Sequence, residues 1–236
     1  MGTAPTGVAP LTGLSMANLI TIARIVLLFI AVGFIYLSLP YGGAQGQPAW
    51  ALVATVLTLI IFLGDAFDGL VARARGEANE LGAVVDIAGD RIAENVYWVV
   101  FAHIGMVPVW FPLIMLVRSF TVDALRSLAL ARGKTAFGEK TMMTSRLGLW
   151  LAASRLHRAL YGGAKVVTFI WLLLQLALQT QIARDPQWAA SYGGALQPVQ
   201  MVGAALATFT LLYSLARGAV VVWDSRYMFA PHTRAN

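Results

Sequence analysis

Six stretches of this chain are apolar over about the length of helix that crosses a bilayer, roughly 20 residues. They fall at about 17–38, 49–70, 82–104, 108–131, 161–182 and 198–223. Breakers separate them: Tyr41-Gly42-Gly43 and Pro48, then Pro108 and Pro112, then Pro186 and Gly193-Gly194. Hydrocarbon offers backbone groups no hydrogen bonds, so runs of this kind are read as helices. Composition agrees, at 58% hydrophobic, 12% charged and a mean hydropathy of +0.71, where a soluble domain carries about a quarter charged residues. The expected fold is an all-α integral membrane protein with six transmembrane helices over residues 14–226. Residues 1–13 are small, polar and uncharged, lack the positive start of a signal peptide, and are expected as a flexible lead. Residues 227–236 are expected as a cytoplasmic tail.

Orientation follows from Lys and Arg. The loops at 39–48 and 104–107 carry none, and 183–197 carries only Arg184. Arg73 and Arg75 follow the second helix, Arg132, Lys134, Lys140, Arg146, Arg155 and Arg158 follow the fourth, and Arg226 and Arg234 lie in the tail. The positive-inside rule puts those two loops and both termini in the cytoplasm. It also accounts for the net charge of +6 without a nucleic-acid partner, since the basic residues are scattered between apolar helices. Within 132–158, Leu147 to Ala153 is apolar, flanked by Arg146 and Arg155, and too short to span; it fits a helix lying at the membrane interface. The chain has no cysteine, which excludes disulfides, thiolate metal sites and cysteine catalysis.

The second helix ends Gly64-Asp65-Ala66-Phe67-Asp68-Gly69, and the third begins Gly82-Ala83-Val84-Val85-Asp86-Ile87-Ala88-Gly89-Asp90. Asp65 and Asp68 are three apart and Asp86 and Asp90 four apart, so each pair shares a helix face. A short loop joins the two helices, which lets four carboxylates converge at the cytoplasmic edge of the bilayer. A single ionised Asp at a helix centre costs about 2.5–3.5 kcal/mol, and four would repel one another unless a cation is bound. Hard oxygen ligands without sulfur suit Mg2+, Mn2+ or Ca2+. Two adjacent ions would clamp a phosphoryl group and leave one carboxylate to act as a base. Gly69 and Gly82 allow close approach of helices or of a ligand, and Arg73 is placed to meet a phosphate. A cation transporter with an acidic path is the alternative reading from a different class.

Taken whole, the segment is Asp65-x2-Asp68-Gly69-x2-Ala72-Arg73-x8-Gly82-x3-Asp86-x3-Asp90. It resembles the signature of the CDP-alcohol phosphatidyltransferases at every fixed position. The resemblance implies transfer of a phosphatidyl group from CDP-diacylglycerol to an acceptor hydroxyl with release of CMP, in phospholipid biosynthesis. It implies two divalent ions, Mg2+ or Mn2+, held by Asp65, Asp68, Asp86 and Asp90, with Asp90 as the general base. It implies a CDP site lined by Asp65, Gly69, Ala72, Arg73, Asn79 and Gly82, with Asn18 and Thr21 of the first helix beside the nucleotide. It further implies a homodimer in the cell membrane of a bacterium.

The acceptor is read from the fourth helix. Val107-Pro108-Val109-Trp110, Arg118 and Leu125-Arg126 resemble bacterial phosphatidylglycerophosphate synthases, which points to glycerol 3-phosphate. Arg118, Arg126, Arg155 and Lys165 are the expected phosphate-binding residues. The chain departs from that pattern at Ser119, at Ile87-Ala88-Gly89 and around Lys165. Asp86 to Arg91, with Arg155 and Arg158, look more like members that use inositol phosphate, which stands as the alternative acceptor.

Overall fold

The computed structural model describes residues 16–42, 44–75, 80–135 and 140–229; for 16–18, 65–75 and 80–86 it describes the backbone alone. Six long helices carry the fold: α1 (Met16–Ser38), α2 (Pro48–Arg75), α3 (Glu80–His103), α4 (Trp110–Ala131), α6 (Arg155–Arg184) and α7 (Pro186–Ser225). Between α4 and α6 a short α5 (Arg146–Gly148) runs into a π-helical turn, Leu149–Ala153. A 3-10 turn, Arg226–Phe229, follows α7.

The turns have local causes. After α1, Gln47 donates its N–H back to the Ser38 carbonyl at 3.0 Å. Gly46 is required there, because a Cβ would come within 2.6 Å of that carbonyl oxygen. After α3, Gly105 takes φ +76° and Met106 N–H bonds the Phe101 carbonyl at 2.8 Å, the left-handed helix ending that glycine permits.

α1 packs on α2, α2 on α6, α6 on α7, α1 on α3 and α4 on α7. Phe169 sits at the centre of the main core, its ring 5.2 Å from those of both Tyr97 and Trp98. Leu28, Ile35, Ile61 and Phe101 complete that core. A smaller core under the 132–158 segment holds Val122, Met142, Met143, Val221 and Met228. Outward faces are apolar: Phe120 is 72% exposed and Val117 67%. A water-soluble surface rarely presents such a patch, whereas lipid solvates it.

Among the described residues three helical stretches, Leu19–Ser38, Arg155–Arg184 and Pro186–Phe229, are long and apolar enough to cross a membrane. α3 carries Asp90, Arg91 and Glu94, and α4 carries Arg118, Asp123 and Arg126. The expected loop at 183–197 is a correction: it is helical from Pro186, and only Asp185 separates α6 from α7. Asp185 caps α7, accepting from Gln187 N at 2.9 Å, and Pro186 occupies the first helical position. An N-cap followed by proline is a helix start, not the breaker the proline was taken for. The fifth long helix likewise begins at Arg155, six residues ahead of the expected 161. Met228, within the stretch 227–236 expected as a cytoplasmic tail, is buried in the second core.

Candidate active site

α2 runs unbroken through positions 65, 68, 69, 72 and 73, and α3 through 82, 86 and 90. The motif therefore stands on two helices, the first ending at Arg75 and the second beginning at Glu80. The side chains of Asn18, Asp65, Asp68, Gly69, Ala72, Arg73, Gly82 and Asp86, and the whole of Asn79, lie outside the described residues. Among the described residues no three acids or histidines gather as a metal site, three of the four expected carboxylates being outside them. The donor set of the motif, all carboxylate and no sulfur, suits a hard divalent ion.

Asp90 is described. Its carboxylate is 37% exposed and its Oδ1 lies 3.3 Å from Nη2 of Arg24 on α1. Arg24 is buried and also donates Nε to the Ile61 carbonyl of α2 at 3.1 Å. Thr21, one turn before Arg24, is buried against Gly89, where a Cβ would come within 2.6 Å of its Cγ2.

One turn beyond Asp90 on α3 lies Glu94, with no exposed surface. A buried carboxylate survives only with partners, and Glu94 has three. Its Oε2 accepts from Arg91 Nη1 at 3.1 Å and from Lys165 Nζ at 3.3 Å, and its Oε1 accepts from the Tyr161 hydroxyl. Arg91 donates Nε to Asp123 Oδ2 at 3.1 Å, and Asp123 Oδ1 lies 3.8 Å from Arg126 Nη1. Arg118, 8% exposed, stands 5.8 Å over the Tyr161 ring; its Nε and Nη1 have no hydrogen-bond partner among the described residues. Arg217 of α7 lies 5.5 Å over the same ring.

Three of the four residues expected to bind the acceptor phosphate thus come together: Arg118, Arg126 and Lys165. Arg155 does not join them. It is exposed at the first turn of α6, ten residues and about 15 Å of helix ahead of Lys165. Arg24, Glu94, Asp123, Tyr161 and Arg217 were not picked out from the sequence. One signal was present, since Glu94 continues the four-residue spacing of Asp86 and Asp90. Among the described residues the cluster holds five basic side chains (Arg91, Arg118, Arg126, Lys165, Arg217) against two carboxylates (Glu94, Asp123). The surplus of positive charge lies one turn from Asp90.

α7 also fixes the segment over this cluster. Asp224 Oδ2 accepts from Thr144 N, Ser145 N and Ser145 Oγ at 3.0–3.1 Å. Ser145 Oγ in turn caps Gly148 N at 2.9 Å. At the other end, Arg217 donates Nη1 to the Leu151 carbonyl at 2.8 Å and Nη2 to that of Ala152 at 3.3 Å. Gly148 faces Asp224 with no room for a Cβ.

Comparison with known proteins establishes the family. The chain belongs to the CDP-alcohol phosphatidyltransferase family, whose model matches residues 14–229. It is a helical membrane protein of a family that uses divalent metal ions. It is 33% identical over 123 residues to a "probable phosphatidylglycerophosphate synthase" of Mycobacterium tuberculosis, covering 50% of this chain and 54% of that one. It is 29% identical over 147 residues to an archaetidylinositol phosphate synthase of Aeropyrum pernix, covering 58% and 75%. It is 30% identical over 131 residues to a phosphatidylinositol phosphate synthase of Mycobacteroides abscessus, covering 51% and 57%. The chain spans about half the length of the two mycobacterial relatives.

Proposed function

We propose that the protein transfers a phosphatidyl group from CDP-diacylglycerol to the hydroxyl of a phosphorylated alcohol, releasing CMP, with glycerol 3-phosphate as the acceptor. The surplus of buried positive charge one turn from Asp90 carries this reading. An acceptor without a phosphate would leave Arg118 with two buried donors unanswered, a cost of about 1–3 kcal/mol each. Glycerol 3-phosphate is favoured by the first relative and by the helix-four pattern. Inositol phosphate is the second reading, favoured by the Aeropyrum and Mycobacteroides relatives.

Asp65, Asp68 and Asp86 hold the divalent ions, with Asp90 at the edge of the set. Bound there, the ions neutralise the diphosphate and the charge that develops as CMP departs. Arg118, Arg126 and Lys165 bind the acceptor phosphate and orient its hydroxyl. Asp90 takes the hydroxyl proton as the acceptor oxygen attacks the lipid-side phosphorus and the bond to CMP breaks. Asn18, Thr21, Gly69, Ala72, Arg73, Asn79 and Gly82 line the CDP site.

Six helices span the membrane, with both termini and the acidic cluster on the cytoplasmic side. The 146–153 segment lies at the interface, a placement supported by exposed Leu147, Leu149 and Trp150 beside Arg146. Two copies form the working dimer. The test is CMP release from CDP-diacylglycerol with Mg2+ or Mn2+. Wild type releases CMP, and Asp90→Asn lowers turnover by about 100-fold or more while still binding CDP. An Asp90→Asn variant with wild-type turnover would remove Asp90 from its role.

A further inference from the structure

The signature around Asp65 to Asp90 does not include α1, yet α1 supplies a cation that touches Asp90. Arg24 is 7% exposed while Asp90 is 37% exposed, so the arginine lies behind the carboxylate and the carboxylate faces outward. Among the described residues the guanidinium is held at two edges. Nε is fixed on the Ile61 carbonyl and Nη2 on Oδ1 of Asp90. In an α-helix the carbonyl of residue 61 also accepts from the N–H of residue 65. Arg24 therefore joins the turn of α2 that carries Asp65 to the carboxylate of Asp90.

α1 approaches closely at two glycines, each directly before a motif aspartate, and only the contact at Gly89 is too tight for a side chain. A Cβ at Gly64 would lie 3.4 Å from Cδ of Arg24, and one at Gly89 would lie 2.6 Å from Cγ2 of Thr21. Thr21, Arg24, Ile61 and Gly89 line one small cavity at this junction. A planar fork with separate donors can hold a carbonyl and a carboxylate in one geometry; a lysine, as a point charge, cannot.

We propose that Arg24 is the positioning residue of the acidic centre: it holds Oδ1 of Asp90, keeps that carboxylate back from the divalent ion, and leaves Oδ2 turned to the acceptor hydroxyl. The inference rests on the role given to Asp90 above. A guanidinium and a divalent ion compete for one carboxylate. Loss of Arg24 frees Asp90 to become a full metal ligand, so metal binding and turnover move in opposite directions. A role confined to packing would weaken both together.

The test is Mn2+ binding, followed by electron paramagnetic resonance on the full chain in lipid nanodiscs, beside CMP release. Arg24→Gln is expected to bind Mn2+ about 3- to 10-fold more tightly than wild type, through loss of a competing charge. Its kcat is expected to fall by about 10-fold or more, with the KM for CDP-diacylglycerol little changed. Arg24→Lys, which keeps the charge, is expected to keep wild-type Mn2+ affinity and still lose kcat. In an Asp90→Asn background, Arg24→Gln is expected to leave Mn2+ affinity unchanged, the two changes being coupled. Mn2+ affinity and turnover falling together, an equal affinity change with and without Asp90, or an unchanged kcat would each overturn the proposal. Wild type without CMP release would sink the proposed function, and the Mn2+ cycle would still decide the role of Arg24.

Discussion

Glu94 is the residue on which the buried charge balance turns. Arg91, Lys165 and Tyr161 all donate to it, and it has no exposed surface. Glu94→Gln leaves two buried cations beside a neutral amide. The expected loss is about 3–5 kcal/mol of stability, read as a lowered unfolding temperature in detergent. Arg118 makes the opposite case. Two of its donors have no partner among the described residues, so Arg118→Gln is expected to cost little stability. It is expected to raise the acceptor KM about 10-fold or more, the worth of a hydrogen bond to a charged group. A large stability loss with unchanged KM would assign Arg118 to packing. At this scale the sequence was partly legible. Arg118, Arg126 and Lys165 stood out as charges in apolar helices. Glu94 did not, because its Lys165 partner is 71 positions away and only the fold brings them together.

Among the elements, the 144–153 segment is held to α7 at both ends, by Asp224 on its first N–H groups and by Arg217 on its last carbonyls. Gly148→Ala forces a methyl against the Asp224 carboxylate. The expected cost is about 1–3 kcal/mol, as for other overpacked sites. The readout is faster tryptic cleavage at Arg146; cleavage at the wild-type rate would show that the clamp does not hold the segment. The sequence marked 147–153 as a short apolar helix from its flanking arginines. It could not show the clamp, whose contacts join residues 65–80 positions apart in the chain. The start of α7 was misplaced for a local reason, the reading of Pro186 as a breaker when Asp185 makes it a cap. The other long helices were legible because each contains a long apolar run bounded by breakers.

For the whole molecule, topology and chemistry depend on one another. A soluble phosphorylated acceptor reaches Asp90 only if the acidic ends of α2 and α3 face the cytoplasm. The chain has no native cysteine, so single cysteines report sidedness directly. Tyr41, 89% exposed in the α1–α2 turn, and Lys140, exposed after α4, lie on opposite sides in the six-span arrangement. An impermeant maleimide on intact cells is expected to label Tyr41→Cys and spare Lys140→Cys; equal labelling would rule the arrangement out. The most direct test of the central claim is an acceptor panel. The purified protein is given CDP-diacylglycerol and Mg2+ or Mn2+ with labelled glycerol 3-phosphate, inositol phosphate or serine, and the lipid products are separated by chromatography. The expected result is label from glycerol 3-phosphate in phosphatidylglycerophosphate, with one CMP released per lipid formed. Label entering lipid from inositol phosphate alone would reassign the acceptor, and no CMP with any of the three would contradict phosphatidyl transfer itself.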